Sequence, residues 1–257
     1  MIGRTSTETW GADGASESRG SSSPDPSSDR RATDPRDALL PRLTACHEAA
    51  HAIAAYHLRF PYLGVLAKPP RDGRLDESDF QIDLEAYQIG LKFLDGLRGS
   101  HRGAVVSICT VWAIARHVHV RLNGLTGDEA DLCSSRDRTQ ALAFLRKQKL
   151  TDERRRMLWE EANQASQRII LLKGFRRALE ATANRLLAEK SLTARDVEQT
   201  IEEAAGARLQ GAWREPTHDE IALAAYLLHE RRPVRDQVGD WLLAERGVRF
   251  GIACYNS

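Results

Sequence analysis

The sequence has little of what a polyanion-binding or membrane-spanning protein needs. Lys and Arg number 37 against 36 Asp and Glu, a formal charge of +1, whereas a surface built for a nucleic-acid backbone or an anionic bilayer carries a clear surplus of positive charge. Long apolar runs are missing too. The longest uncharged stretch, Gly103 to Ala115, covers 13 residues, short of the ~18–20 that cross a bilayer. No basic-then-apolar signal segment opens the chain. The four cysteines (Cys46, Cys109, Cys133, Cys254) form no C-x-x-C pair, which argues against a zinc ribbon or disulfide framework and for reduced thiols in a soluble, cytoplasmic protein. Gly96, Gly99 and Gly103 lack the Lys and the preceding strand of a phosphate-binding loop, so an ATPase of that type is excluded. Aromatics are scarce at 6%, and the runs Arg154–Arg156 and Arg231–Arg232, with no aromatics between them, read as solvated helix faces and not as a nucleic-acid site. Residues 1–35 lack apolar residues almost entirely, Ile2 and Trp10 being the large ones after Met1. Such a segment buries too little surface to offset its ordering entropy and is expected to be a disordered tail.

What is present is mostly helical pattern. Pro41 stands where a helix could begin, and Leu43–Leu58 is Ala-rich without Gly or Pro. Pro61 ends it, and Tyr62–Ala67 reads as a short strand. After a polar loop at 71–79, the alternation of Phe80, Ile82 and Leu84 predicts a second strand. Helices are expected over about 86–97 and 103–122, then a polar connection from Gly124 to Ser135, and helix again from Arg136. Leu158, Ala162, Ala165, Ile169 and Leu172 step by four, three, four and three along one stripe; Gly174 breaks it, and Leu179, Ala183 and Leu186 resume. Thr193 with Asp196, and Thr217 with Glu220, have the spacing of capping boxes. A boundary near 207–216 sets off a C-terminal module (212–257) of two helices, the first to about Glu230 and the second through Trp241, separated by Pro233.

The chemistry concentrates in His47-Glu48-Ala49-Ala50-His51. Histidines at i and i+4 share one helix face and can present two neutral imidazoles to one zinc ion at ~2.0–2.1 Å. The Glu beside the first His is placed to take a proton from a water at that metal, the H-E-x-x-H arrangement of zinc peptidases. The bland alternative is a helix face with two packed histidines, but the surrounding Ala and Ile residues give such a polar trio little packing reason to be there. Other histidines fit structural roles better. His117 and His119 stand two apart, face different ways on a helix and are not expected to chelate one metal. His57 lies six residues past His51 on another part of the circumference, and His229-Glu230 has Pro233 where a second His would belong.

HEAAHAIAAYHL resembles the HEAGHAxxA segment of the FtsH-type zinc metallopeptidases, Ser134-Ser135-Arg136-Asp137-Arg138-Thr139-Gln140-Ala141 resembles the helix start bearing that family's third ligand, and LLAEKSLTARDVEQTI is similar to its closing helices. The likeness spans roughly 40–205. It implies a mainly α, zincin-like peptidase domain (36–207) with a two- or three-stranded β element, zinc held by His47, His51 and Asp137, and Glu48 as general base. From the residues alone, Asp137 also fits an S-x-x-D capping box with Ser134, and Asp131 and Asp128 in the same region stay open as ligands. Ala50 replaces the family's Gly, and Val111-Trp112-Ala113-Ile114-Ala115-Arg116 stands where small residues are usual. The membrane helices and motor of that family have no counterpart here, which leaves flexible peptide or protein substrates, room for a separate ATPase partner, and room for homo-oligomers. The strand near Phe80–Leu84 is a candidate edge for an extended peptide. The segment EPTHDEIALAAYLLHERRP with DWLLAE resembles a small bacterial domain of unknown function; Trp213, Trp241, Tyr226 and Leu227 there pack a helical cap or form a docking face. The rival to an enzyme is a non-catalytic scaffold or adaptor that binds a protein partner through those C-terminal helices.

Overall fold

A 24-residue helix, α1 (Pro35–Leu58), is the axis of the fold. The computed structural model describes residues 35–67, 79–97, 100–206, 209, 211, 214–231 and 236–255. The expected tail, the loop at 71–78, Trp213 and Pro233 fall outside them. α1 begins six residues ahead of Pro41 and takes that proline inside; Pro35 supplies the preset φ of a helix start. Ala45, Ala49, Ala50, Ala52, Ile53, Ala54 and Ala55 are all fully buried. A helix apolar on every side has to be covered all round, and here α3 (Arg102–Arg121), α7 (Phe175–Glu189) and β1 (Tyr62–Leu66) cover it. Arg59, in the left-handed region at φ 52°, turns the chain out of the helix toward β1.

The sheet is antiparallel and three-stranded, in the order β2–β1–β3, with β2 spanning Asp79–Ile82 and β3 Ser191–Thr193. One expectation changes here. Leu84 does not extend β2: Asp83 caps α2 (Leu84–Gly96) by accepting a hydrogen bond from the Ala86 amide at 3.0 Å, so the helix starts there. β3 is the third strand that the resemblance allowed for, but its position was not readable, since three residues with one apolar member, Leu192, carry no alternation. Gly64 makes room for it. A Cβ at Gly64 would stand 2.3 Å from the Leu192 carbonyl oxygen, so no larger residue fits where β1 pairs with β3.

The remaining helices are α4 (Gly127–Cys133), α5 (Ser135–Lys147), α6 (Asp152–Ile170), α8 (Ala194–Ala205), α9 (His218–Arg231) and α10 (Gln237–Tyr255). The supposed polar connection at 124–135 contains α4, opened by a capping box between Thr126 and Glu129 in which both reciprocal bonds form. The boxes at Thr193/Asp196 and Thr217/Glu220 form as well. Gly174, at φ 98°, separates α6 from α7. On α6, Leu158, Ala162 and Ile169 are buried, while Ser166 takes an inner position in place of Ala165. Its hydroxyl donates to the Ala162 carbonyl at 2.8 Å, and the Thr110 carbonyl lies 3.2 Å away.

The last helix runs well past Trp241, to Tyr255. Its far end joins the main core: Phe250 is fully buried, with ring centroids 5.3 Å from Phe60 and 5.4 Å from Tyr87. Asp34–Ser257 forms one compact unit by its contacts. α9 covers a small second cluster of Ala86, Ile89 and Leu243. Trp241 meets His218 at 4.7 Å, and Tyr226 and Leu227 stay exposed. Among the described residues, α3 is the one helix long and apolar enough to cross a membrane, and 78% of that stretch is buried inside the fold. All four cysteines are free thiols.

Candidate metal centre

His47, Glu48 and His51 face inward from the middle of α1, with 4%, 1% and 1% of their surfaces exposed. Ala49 and Ala50 beside them present only methyl groups, so α3 packs close. The contacts across this interface run in reverse order, His51 meeting Val111 and His47 meeting His119, as in an antiparallel pair. His51 Nδ1 donates to the Val111 carbonyl at 2.6 Å. A carbonyl only accepts, so Nδ1 carries a proton and Nε2 is the atom left to take up a second proton or a cation.

Asp137 arrives from the first turn of α5, where the helix dipole favours a carboxylate. Its Oδ2 lies 2.8 Å from His47 Nε2 and 3.2 Å from His51 Nε2. Glu48 Oε1 is 3.9 Å from His47 Nε2, and the donor atoms of His47, Glu48 and His51 all fall within 4.8 Å of one another. Three donors of a tetrahedral zinc site stand about 3.3 Å apart when the bonds are ~2.0–2.1 Å; the atoms here are drawn in slightly closer. The aim of the atoms is as informative as their spacing. His51 Nε2 and Asp137 Oδ2 are buried, with no partner among the described residues besides this cluster itself. Donor atoms that crowd one point with nothing else to satisfy them fit a divalent cation between them.

The electrostatics follow from burial. Desolvation alone would depress the His51 imidazole, but the carboxylates of Asp137 and Glu48, with the Val111 carbonyl, push it up to about 9. Burial works to raise Asp137, yet the two imidazoles hold it well below the usual carboxylate range. A metal-free centre therefore carries a proton on His51 that a cation has to displace.

The other acidic residues of this region go elsewhere. Asp131 pairs with Arg116 through both guanidinium and carboxylate edges, outside the centre, and Asp128 is exposed in the first turn of α4. Ser134 makes no capping bond to α5, and its buried hydroxyl has no partner among the described residues. Asp137 is thereby left to the histidines. His57 donates from Nδ1 to the Leu209 carbonyl at 2.6 Å, and His117 meets Asn163 at 3.1 Å; neither approaches the centre. His229 meets Asp240 of α10 at 3.3 Å.

Two contributors, His119 and Asn123, escaped the reading of the sequence. His119 is fully buried, with Nε2 3.1 Å from His47 Nδ1. Asn123 Nδ2 is 3.0 Å from His119 Nδ1. Trp112 of α3 and Phe80 of β2 wall the site, with ring centroids 5.6 Å and 5.8 Å from His51. The readable signal for His119 was the stripe Val111, Ala115, His119, three fully buried positions spaced by four on α3. The two-residue spacing of His117 and His119 masks that stripe in the sequence. No family model, curated protein or solved structure matches the chain.

Proposed function

We propose that this chain is a zinc-dependent endopeptidase of the kind the FtsH-type resemblance implies. The observation that carries the reading is the convergence of Asp137 Oδ2 on the Nε2 atoms of His47 and His51, beside a buried Glu48. His47, His51 and Asp137 would hold the ion. Bound there, zinc supplies Lewis acidity, lowering the pKa of a water and polarising a substrate carbonyl. Glu48, next to His47 on the same helix, takes the proton from the attacking water and returns it to the leaving amine. Among the described residues β2 lies at the edge of the sheet, paired with β1 on one side, and its Phe80 ring stands 5.8 Å from that of His51. An extended peptide lying along β2 places its backbone beside the centre, with affinity from main-chain hydrogen bonds. Substrates are then flexible segments, or chains delivered by a separate ATPase.

The depth of the centre favours a second reading, a structural metal in a peptidase-like scaffold, because none of His47, Glu48, His51 and Asp137 is more than 7% exposed. Glu48→Gln separates the two. The endopeptidase loses at least about 10²-fold in hydrolysis of an unstructured protein such as casein, as expected for a general base, while zinc content stays at the wild-type level. A scaffold shows no zinc-dependent hydrolysis in either protein.

A further inference from the structure

We propose that the groove where β2 runs into α2, walled on its far side by α10, takes a Lys or Arg side chain of an extended peptide, so that the C-terminal helix helps to select the substrate. The groove stands on its own geometry, and its part in cleavage rests on the endopeptidase reading above. It measures about 580 Å3, within the roughly 300–1,000 Å3 of pockets that hold ligands. Its walls are aliphatic: Leu63 of β1, Ile82 at the end of β2, Leu84 at the start of α2, and Leu243 of α10. Leu63 is 53% exposed and Leu84 66%, large apolar side chains that the fold leaves turned to water.

Charge narrows the occupant. Among the described residues lining the groove, the charged ones are Asp83, Glu85 and Asp236 against Arg246, three negative to one positive. Arg246 already meets an anion, with Nε and Nη2 at 3.1 and 2.8 Å from Asp83 Oδ2. Asp236 Oδ1 accepts from the Val238 amide at 3.1 Å, a bond that orients the carboxylate without cancelling its charge. Aliphatic walls under a net negative charge repel an acidic side chain. They match a stem of methylenes that ends in a cation.

Position ties the groove to the metal centre. Ile82 lies two residues from Phe80 on the same face of β2, and the Phe80 ring stands 5.8 Å from that of His51. Two residues of strand span about 6.5–7 Å, and a peptide paired with β2 has the same repeat. With a peptide bond held beside His51, the side chain that reaches the groove is about two residues from that bond. Asp236, Leu243 and Arg246 lie outside the segment that resembles the peptidases, and Leu243 packs in one cluster with Ala86 and Ile89 of α2. The C-terminal module thus has a task at the site.

The test uses full-length protein and three labelled peptides: a flexible Gly-Ser-Ala chain with one central Lys, and the same chain with norleucine or Glu in its place. Fluorescence anisotropy with Glu48→Gln protein, which holds a peptide without cutting it, should rank Lys above norleucine above Glu, with Lys about tenfold tighter than Glu. Adding Glu85→Gln and Asp236→Asn, which removes both charges and keeps an acceptor for the Val238 amide, should bring the Lys-to-norleucine ratio close to one. Casein fragments from wild-type protein, read by mass spectrometry, should carry Lys or Arg at one fixed position about two residues from the cut. Cuts without that preference, equal binding of the Lys and Glu peptides, binding of none of them, or a folded charge-removed variant that keeps the original ratio each overturn the proposal and leave the endopeptidase standing. The peptide ranking decides the matter even if the charge-removed variant fails to fold. Lys-selective binding by a protein that shows no zinc-dependent hydrolysis upholds the groove and overturns the endopeptidase.

Discussion

Two tight helix crossings shape this molecule, and they are filled in opposite ways. Where α10 meets α2, glycines let the backbones touch: a Cβ at Gly247 would lie 2.6 Å from Ile89 Cβ, and one at Gly251 would lie 2.8 Å from the Phe93 ring. The filling is apolar, with Phe250 wedged between Phe60 and Tyr87. Where α1 meets α3 and α5, alanines give similar closeness, but the space holds four imidazole and carboxylate side chains (His47, His51, His119, Asp137) and Glu48, all buried. Burying such groups is costly unless they are fully paired. The first crossing explains itself as stability. The second does not: its buried polar atoms converge on one point, the arrangement on which the proposed metal centre rests.

The contrast can be broken from either side. Phe250→Ala should have the largest effect, about 3–5 kcal/mol of stability from lost contacts and a cavity, with zinc bound per folded molecule unchanged in elemental analysis. Asp137→Ala should act on the metal: zinc affinity falls by at least about 10²-fold, or roughly 3 kcal/mol, in a chelator competition, while the metal-free protein loses the buried pair with His51 and keeps its apolar core.

Acidity separates the regions further. His51 sits at about 9 in the metal-free fold against its ordinary value of 6.5, so a proton competes with the cation, and zinc affinity should rise roughly tenfold per pH unit until about pH 9. Metal-free stability runs the other way. The raised His51 contributes fully below pH 6.5, and that contribution is lost as pH rises through about 9. The depressed Asp137 contributes above the ordinary carboxylate range and is lost on acidification. Denaturant midpoints of the metal-free protein should therefore fall between pH 6.5 and 9, and those of Asp137→Ala should not follow.

Gly247→Ala should cost about 1–3 kcal/mol by overpacking against Ile89, with no change in zinc affinity. The smallest effect is expected for Asp131→Asn. That carboxylate is half exposed and salt-bridged to Arg116, so stability should shift by less than about 1 kcal/mol and zinc content should stay at the wild-type level. An empty site in Asp131→Asn would move the third ligand away from Asp137.

How far the sequence could be read depended on the range of the interaction. His47, Glu48 and His51 were legible because i, i+4 spacing on an Ala-rich helix is local geometry. The capping boxes at Thr193 and Thr217 were legible for the same reason, and the one at Thr126, with the right residues in place, was passed over because α4 has little apolar periodicity behind it and exposes Leu132. Asp137 was ambiguous from its neighbours alone. Ser134 sits at φ −114°, ψ 17°, away from the extended backbone of a working cap such as Thr193, and that choice is made by the packing of α5, which the sequence does not display. His119, Asn123 and β3 depend on which elements meet across 60 to 130 residues of chain. Pattern reading along single helices has no access to such pairings.

Whether His47, His51 and Asp137 form one cation site is tested most directly by titrating metal-free protein with cobalt(II) and following visible absorption. Saturation is expected at one ion per chain, with the intense d–d bands of a four-coordinate nitrogen and oxygen site, lost in His51→Ala and displaced by zinc. Folded wild-type protein that shows no such bands, or shows them equally in His51→Ala, would contradict it.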